Sequence, residues 1–424
     1  MKPIASVLIT AFCFSGLAVA ETTESLSHVV DQAIVNYPSL QAAEERVQAG
    51  ELGVDSAAGK QYPQITFSGQ YGREKTDSPS TRSAGFSDRE LTRRENGVTL
   101  TQSIFDGGEI VAGVARAEAE LREQKAAHIY TREELIYQVI SRYINVLRAG
   151  ELLAAAKLNQ KQHTDIGDLV RKRVDKQVDS KASSYLVEGR LAVANLKVER
   201  YTELLKRAEL ELAKFTGKQP EKLEAIPTSV MAVNSEYDIE SHPSLRMLHA
   251  RQQADRQAVE EKKGALGPKV DLELVARRDY DLDGTEGRSE EMGAYITVEF
   301  NLFDGGSNRA ALNQASKRHQ ASKLDYEEEK LNIQTALQVA YSALRSAQAE
   351  LRYFSAHREE LEKAKEAYGL QYMAGRRTLF DLLNIQSEYF DASESAIQAR
   401  HDEYQKAIDV KFEAATLNQT VNEL

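Results

Sequence analysis

Two hydrophobic patterns take turns along this chain. Residues 64–71 alternate with period two: Ile65, Phe67, Gly69 and Tyr71 lie on one face and Thr66, Ser68 and Gln70 on the other. In 97–105, Val98, Leu100 and Ile104 oppose Thr99, Thr101 and Ser103. In 269–278, Val270, Leu272, Leu274 and Ala276 oppose Asp271 and Glu273. In 293–302, Ala294, Ile296, Val298, Phe300 and Leu302 oppose Tyr295, Thr297, Glu299 and Asn301. Each run predicts a strand with one apolar face. Apolar-out, polar-in alternation over about ten residues fits the strands of a transmembrane barrel. An ordinary half-buried hairpin would give the same pattern for any one strand; four of them in a chain otherwise made of helix favour the barrel.

The second pattern has helical period. Residues 21–60, 109–174, 183–216, 241–264, 309–372 and 382–417 predict helices. Leu26, Val29, Val30, Ala33 and Ile34 share a face of the first, and Pro38 suits a helix start, where its missing N–H costs nothing. In the second, Val114, Leu121, His128 and Leu135 recur every seven residues, and Ile136, Val139, Ile140, Tyr143 and Leu147 continue the stripe. A helix of that extent is on the order of 100 Å long. Its stripe requires partner helices, as in a coiled coil.

The two patterns meet at a repeated corner. Asp106, Gly107 and Gly108, preceded by Phe105, recur as Asp304, Gly305 and Gly306, preceded by Phe303, at an offset of 198 residues. Each copy ends an alternating run and opens a long helix. The glycines permit a sharp turn and the aspartate caps the first helical turn. Other matches extend the duplication. Tyr37-Pro38-Ser39-Leu40 returns as His242-Pro243-Ser244-Leu245, and Tyr62-Pro63-Gln64-Ile65 as Gly267-Pro268-Lys269-Val270, both at an offset of 205. The period is too long for a solenoid unit. It predicts two repeats of one architecture, 21–228 and 229–424, after a leader at 1–20. The leader is inferred from Lys2, an apolar run from Ile4, and Ala18-Val19-Ala20 ahead of Glu21: a secretory signal peptide.

Composition narrows the function. The formal charge of −11 argues against nucleic acid as a partner. Arg171-Lys172-Arg173 is a solvated helix face on this view. The single cysteine, Cys13, falls in the leader, so the exported chain has neither a disulfide nor a thiolate metal site. The eight histidines show no zinc-type spacing, and neither a phosphate-cradling glycine loop nor a nucleophile elbow is present. Neither an enzyme, a metal nor a cofactor is expected.

Two polar turns interrupt the long helices, at about 174–183 and 372–384. Gly375 suits a helix C-cap and Thr378 an N-cap. With the strand pairs, the Asp-Gly-Gly corners and the run Ala374-Gly375-Arg376-Arg377-Thr378, the chain resembles the TolC family of outer-membrane channels over essentially its whole exported length. The resemblance implies a mainly helical fold with a small β part. Three chains would form a trimer whose four strands each build a 12-stranded barrel, continued by a periplasmic tunnel of coiled-coil helices. It implies a tunnel tip that closes like an iris, with Tyr372, Arg377 and Asp381 at the lock and constriction. Two positions depart from the family pattern: Asn384 stands where a second tip aspartate is common, and Ser183 where an aspartate accepts the lock's hydrogen bonds. Together they imply a weaker or rewired lock, drawing on Asp175 or Asp179. The implied partners are outer-membrane lipid, a periplasmic adaptor and an inner-membrane transporter. The favoured reading is a passive duct for type I secretion of a large adhesin or toxin, served by an ABC transporter; the alternative, with a proton-driven pump, is multidrug efflux. An exported coiled-coil structural or adhesive protein is the alternative outside this class. Four strands cannot close a barrel, and an open edge cannot lie in lipid, so the sequence itself calls for an oligomer. Residues 72–96 and 279–291 are expected to be loops outside the cell.

Overall fold

Pro38 divides the first helical run. It holds Tyr37 extended (φ −83°, ψ 122°), so helix α1 (Leu26–Asn36) stops there and α2 (Pro38–Gly59) begins with proline at its first turn. The computed structural model describes residues 23–85, 90–233 and 237–422; the expected leader lies outside them. Thr23–Glu24 is not helical, as the sequence suggested, but pairs in parallel with Lys222–Leu223. The Tyr143 hydroxyl fastens this pair, lying 2.7 Å from the Glu224 carbonyl and 3.2 Å from that of Glu24.

Four antiparallel strands lie side by side in the order in which the chain makes them. They are β1 (Gln64–Lys75), β2 (Glu90–Phe105), β3 (Lys269–Tyr280) and β4 (Arg288–Glu299). All four run further toward the loops than expected, and much of 72–96 and 279–291 is strand. Backbone pairing such as Arg73 with Thr92 and Lys75 with Glu90 continues after the apolar alternation has ended. Phe300 to Leu302, expected in the last strand, lie beyond it, because β3 ends at Lys269 opposite Glu299 and leaves them no partner in the sheet. Both outer edges of the sheet, β1 and β4, are without a partner strand among the described residues.

Two 67-residue helices, α3 (Glu109–Asp175) and α6 (Ser307–Met373), carry the sheet. Each leaves a corner of the expected kind. Gly107 and Gly108 have φ of 69° and 87°, and Gly305 and Gly306 have 69° and 86°. Asp106 accepts from the amide of Gly108 at 2.9 Å and Asp304 from that of Gly306 at 2.8 Å. Helix α4 (Lys181–Thr216) runs back along α3, and α7 (Leu379–Glu413) back along α6. Helix α5 (Pro243–Gly264) lies between α3 and α6. The buried stripe of α3 includes Ala112, Ala119, Ala126 and Glu133, seven residues apart; the alanines are small enough to let helices approach closely. The main core gathers Val29 and Val30 of α1, Ile136, Ile140 and Tyr143 of α3, Leu212 of α4 and Ile408 of α7.

The helix expected over 382–417 ends at Glu413. Ala415 takes a left-handed conformation (φ 51°) and a further helix, α8 (Leu417–Asn422), begins. Its first amides, those of Leu417 and Asn418, donate to the buried carboxylate of Glu133, each at 3.0 Å. The acceptor that fixes this break thus comes from α3, far away in sequence.

Candidate functional site

The sheet has two unlike faces. Cross-strand partners share a face, so the register sets Phe67, Val98, Ala276 and Met292 in one row and Ile65, Leu100, Leu274 and Ala294 in the next. The opposite face carries Thr66, Thr99, Thr101, Glu273, Asp271 and Thr297. The apolar face is bare: Phe67 is 71% exposed, Ile296 74% and Met292 89%. A bare apolar face in an exported chain belongs against lipid. No helix among the described residues is long and apolar enough to cross a membrane.

At the far end of the helices the two tip turns are built alike. Gln177 (φ 60°) and Gly375 (φ 72°) hold equivalent left-handed positions. The amide of Val178 closes on the Arg173 carbonyl at 2.9 Å, and that of Arg376 on the Gln371 carbonyl at 2.8 Å. Each turn is then tied by one side-chain bond, with donor and acceptor exchanged. In the first, Arg173 Nε donates to Asp179 at 2.8 Å. In the second, Arg377 Nε donates to Gln371 at 3.1 Å, and its guanidinium lies 4.2 Å from the Tyr368 ring centre.

Tyr372 joins the two turns. Its ring is 3% exposed, packed with Val170, Val187, Leu379 and Leu383, and its hydroxyl donates to Asp179 Oδ2 at 3.0 Å. Arg173 stacks over the ring at 5.1 Å. Burial, followed by the Asp179 carboxylate, pushes the phenol up to about 12, so it stays a donor at any physiological pH. Asp179 therefore receives Tyr372 from one helix pair and Arg173 from the other.

The remaining residues singled out by the sequence lie apart from this contact. Arg377 serves its own turn and does not reach the first one. Ser183 does not accept from Tyr372; its hydroxyl is 3.5 Å from that of Ser180, at the start of α4. Of the two aspartates suggested as substitutes, Asp179 makes the contact. Asp381 caps α7 together with Thr378, whose hydroxyl donates to it at 2.8 Å and holds its carboxyl below the usual range. Asn384 accepts from Arg190 Nη2 of α4 at 3.0 Å. Arg173 and Arg190 were missed in the sequence. Arg173 was absorbed into a basic triplet, although it stands in the last turn of α3, six residues before Asp179, where a tie across the turn can form.

Above the tip, a polar seam joins α7 to α3 and α4. Lys197 donates to Glu394 at 3.0 Å, Arg400 pairs with Glu151 at 3.2 Å, and Arg148 with Asp402 at 2.8 Å. Gln386 bonds Asn159 at 3.2 Å.

A sheet with one apolar face and, among the described residues, no partner strand at either edge, mounted on paired helices about 100 Å long, fits a class: outer-membrane channels with a helical periplasmic extension. The chain belongs to the outer membrane efflux protein family, whose model matches residues 29–218 and 238–412. It is 24% identical to the outer membrane efflux protein BepC of Brucella suis, covering 94% of this chain and 86% of that one. To the alkaline protease secretion protein AprF of Pseudomonas aeruginosa it is 23% identical, over 92% and 84%. Among solved structures, the CmeC outer membrane channel of Campylobacter jejuni matches with a TM-score of 0.80 at 14% identity, over 99% and 97%. The protein is accordingly an export channel, not an enzyme, seated in the outer membrane and extending into the periplasm. The alternative of a coiled-coil adhesive or structural protein falls with this assignment.

Proposed function

We propose that three copies close edge to edge into a twelve-stranded barrel, and that the barrel and its helical tunnel form the passive duct of a type I protein-secretion machine. The observation that carries the duct is the sheet itself, apolar on one face and, among the described residues, unpaired at both edges. Edges of this kind cannot remain open in lipid. In this reading, residues 21–228 and 229–424 are two equivalent repeats. Asp381 from each copy narrows and charges the periplasmic mouth. The contact of Tyr372 and Arg173 with Asp179 holds the mouth shut until an adaptor and an inner-membrane transporter dock.

The existing β2–β3 register, carried across the 198- and 205-residue offsets, specifies how copies meet. On β4 and its extension, Ile296 should face Tyr71 of the next copy, Val298 should face Gly69, and Phe300 should face Phe67. Cysteines at Gly69 and Val298 should therefore oxidise to a covalent ladder ending at the trimer, since directly opposed positions satisfy disulfide geometry. Gly69 with Thr297 puts the thiols on opposite faces and should stay uncrosslinked. Crosslinking of the second pair alone would mean a slipped register.

Protein secretion is favoured over drug efflux by the relatives named for protease secretion, AprF and the proteases secretion protein PrtF of Dickeya chrysanthemi; a large adhesin or toxin is the cargo we propose. The efflux reading draws on BepC, whose name gives efflux. Capture of the native channel with its inner-membrane partner decides between them. An ABC transporter is expected, and recovery of a proton-driven pump alone would replace secretion by efflux.

A further inference from the structure

The apolar face of the sheet ends, on the loop side, in arginine. One cross-strand row reads Tyr71, Arg94, Tyr280, Arg288 across the four strands. Directly beneath it stand Gly69, Asn96, Arg278 and Glu290, and beneath those begins the apolar band of Phe67, Val98, Ala276 and Met292. Arg73 lies one step above, opposite Thr92. All four arginines are exposed and share the face of the apolar band. Among the described residues two carboxylates accompany them there: Glu90 pairs with Arg73 at 3.6 Å, and Glu290 is shared by Arg278 at 2.7 Å and Arg288 at 3.6 Å. Arg94 has no carboxylate partner among the described residues; its guanidinium lies 5.3 Å from the Tyr280 ring centre. The row is positive in a chain of net charge −11, and three copies would make it a belt.

The position decides what such a belt meets. Arg94 is four residues above Val98, about 13 Å along the strand, at the level where hydrocarbon gives way to head groups. A guanidinium binds a phosphate through two parallel hydrogen bonds, and aromatic rings beside it favour the same interfacial depth. We infer that Arg73, Arg94, Arg278 and Arg288 form a surface for phosphate-bearing lipid head groups of the outer leaflet. The inference rests on the reading of this sheet as part of a lipid-embedded barrel.

The test reconstitutes purified channel in phosphatidylcholine vesicles with and without bisphosphorylated lipid A. Lipid A should raise the temperature at which the assembly dissociates, remain bound on gentle detergent extraction when counted by native mass spectrometry, and lose its effect at high salt. Arg94→Gln with Arg288→Gln should reduce the retained lipid several-fold while leaving insertion and conductance in phosphatidylcholine unchanged. Equal dissociation temperatures with and without lipid A, equal retention by the variant, or the same stabilisation by inorganic phosphate alone would overturn the inference and leave the channel reading intact. Failure to insert into either vesicle would overturn both.

Discussion

Channels carrying Tyr372→Phe together with Arg173→Ser should pass several times the current of the parent in planar bilayers. The two changes strip Asp179 of both its donors, Tyr372 Oη at 3.0 Å and Arg173 Nε at 2.8 Å. Bonds to a charged acceptor contribute about 1–3 kcal/mol each, and the lower end applies here because Arg173 and Asp179 keep some contact with solvent. Repeated on three copies, a loss of even 1 kcal/mol per copy shifts the closed–open balance by a factor on the order of 100. The phenylalanine keeps the apolar contacts with Val187 and Leu383, so the helices should still assemble. Arg377→Ser supplies the contrast. It frees Gln371 and uncovers the Tyr368 ring within one turn, and current should change little. If Arg377→Ser alone opens the channel and the double change does not, the acceptor for Arg377 lies on another copy and the Asp179 contact is not the lock.

The second large effect is expected at the strand-to-helix corners, where two glycines of the same conformation have different surroundings. A Cβ on Gly107 would come within 2.6 Å of the Gly264 carbonyl oxygen and 3.0 Å of its Cα. Both obstacles are backbone and cannot swing aside. Gly107→Ala adds the cost of a left-handed alanine, about 1–3 kcal/mol, to an overpacking cost of about 1–3 kcal/mol. Assembled channel in the outer membrane should fall sharply. Gly305 has the same φ of 69°, yet no described residue of its own chain lies within 4 Å of a Cβ built there, and the same holds at Gly59, which stands 205 residues before Gly264. In the proposed trimer the end of α2 from the next copy covers Gly305 as the end of α5 covers Gly107. Gly305→Ala should then deplete heat-resistant trimer, scored by gel mobility before and after boiling, nearly as strongly as Gly107→Ala. Trimer at parental levels with Gly305→Ala would place the neighbouring copy elsewhere.

The corners were legible in the sequence because only glycine accepts two successive left-handed residues cheaply, and Asp-Gly-Gly leaves few alternatives. The lower halves of the strands were legible because lipid on one side and polar surroundings on the other impose strict alternation. Their upper ends were not. Around Arg73 and Thr92 both faces are polar, and backbone hydrogen bonds extend the ladder without leaving a periodic trace. The break after Glu413 was hidden for another reason: an alanine at φ 51° has no local signature, and the acceptor that makes it tolerable, Glu133, belongs to another helix. At the tip, the sequence identified Tyr372 and offered Asp179 as one acceptor. Within one chain Arg377 folds back onto its own turn, and a turn's residue types do not reveal which way a long side chain will fold. Gln371, six residues earlier, supplies a nearer partner than anything across the seam.

The two long helices each count 67 residues from corner to turn. Because rise per residue is fixed by the hydrogen-bond ladder, equal counts act as a molecular ruler. They deliver both tip turns to the same depth, so that Tyr372 and Asp179 can meet; in the proposed trimer this cuts the mouth square to the axis. Deleting a turn from only one helix would set its tip about 5 Å short of the other, more than a hydrogen bond can span. The span of the channel can therefore change only by matched steps in both helices, which makes its length a shared trait of the two segments and not a property of either.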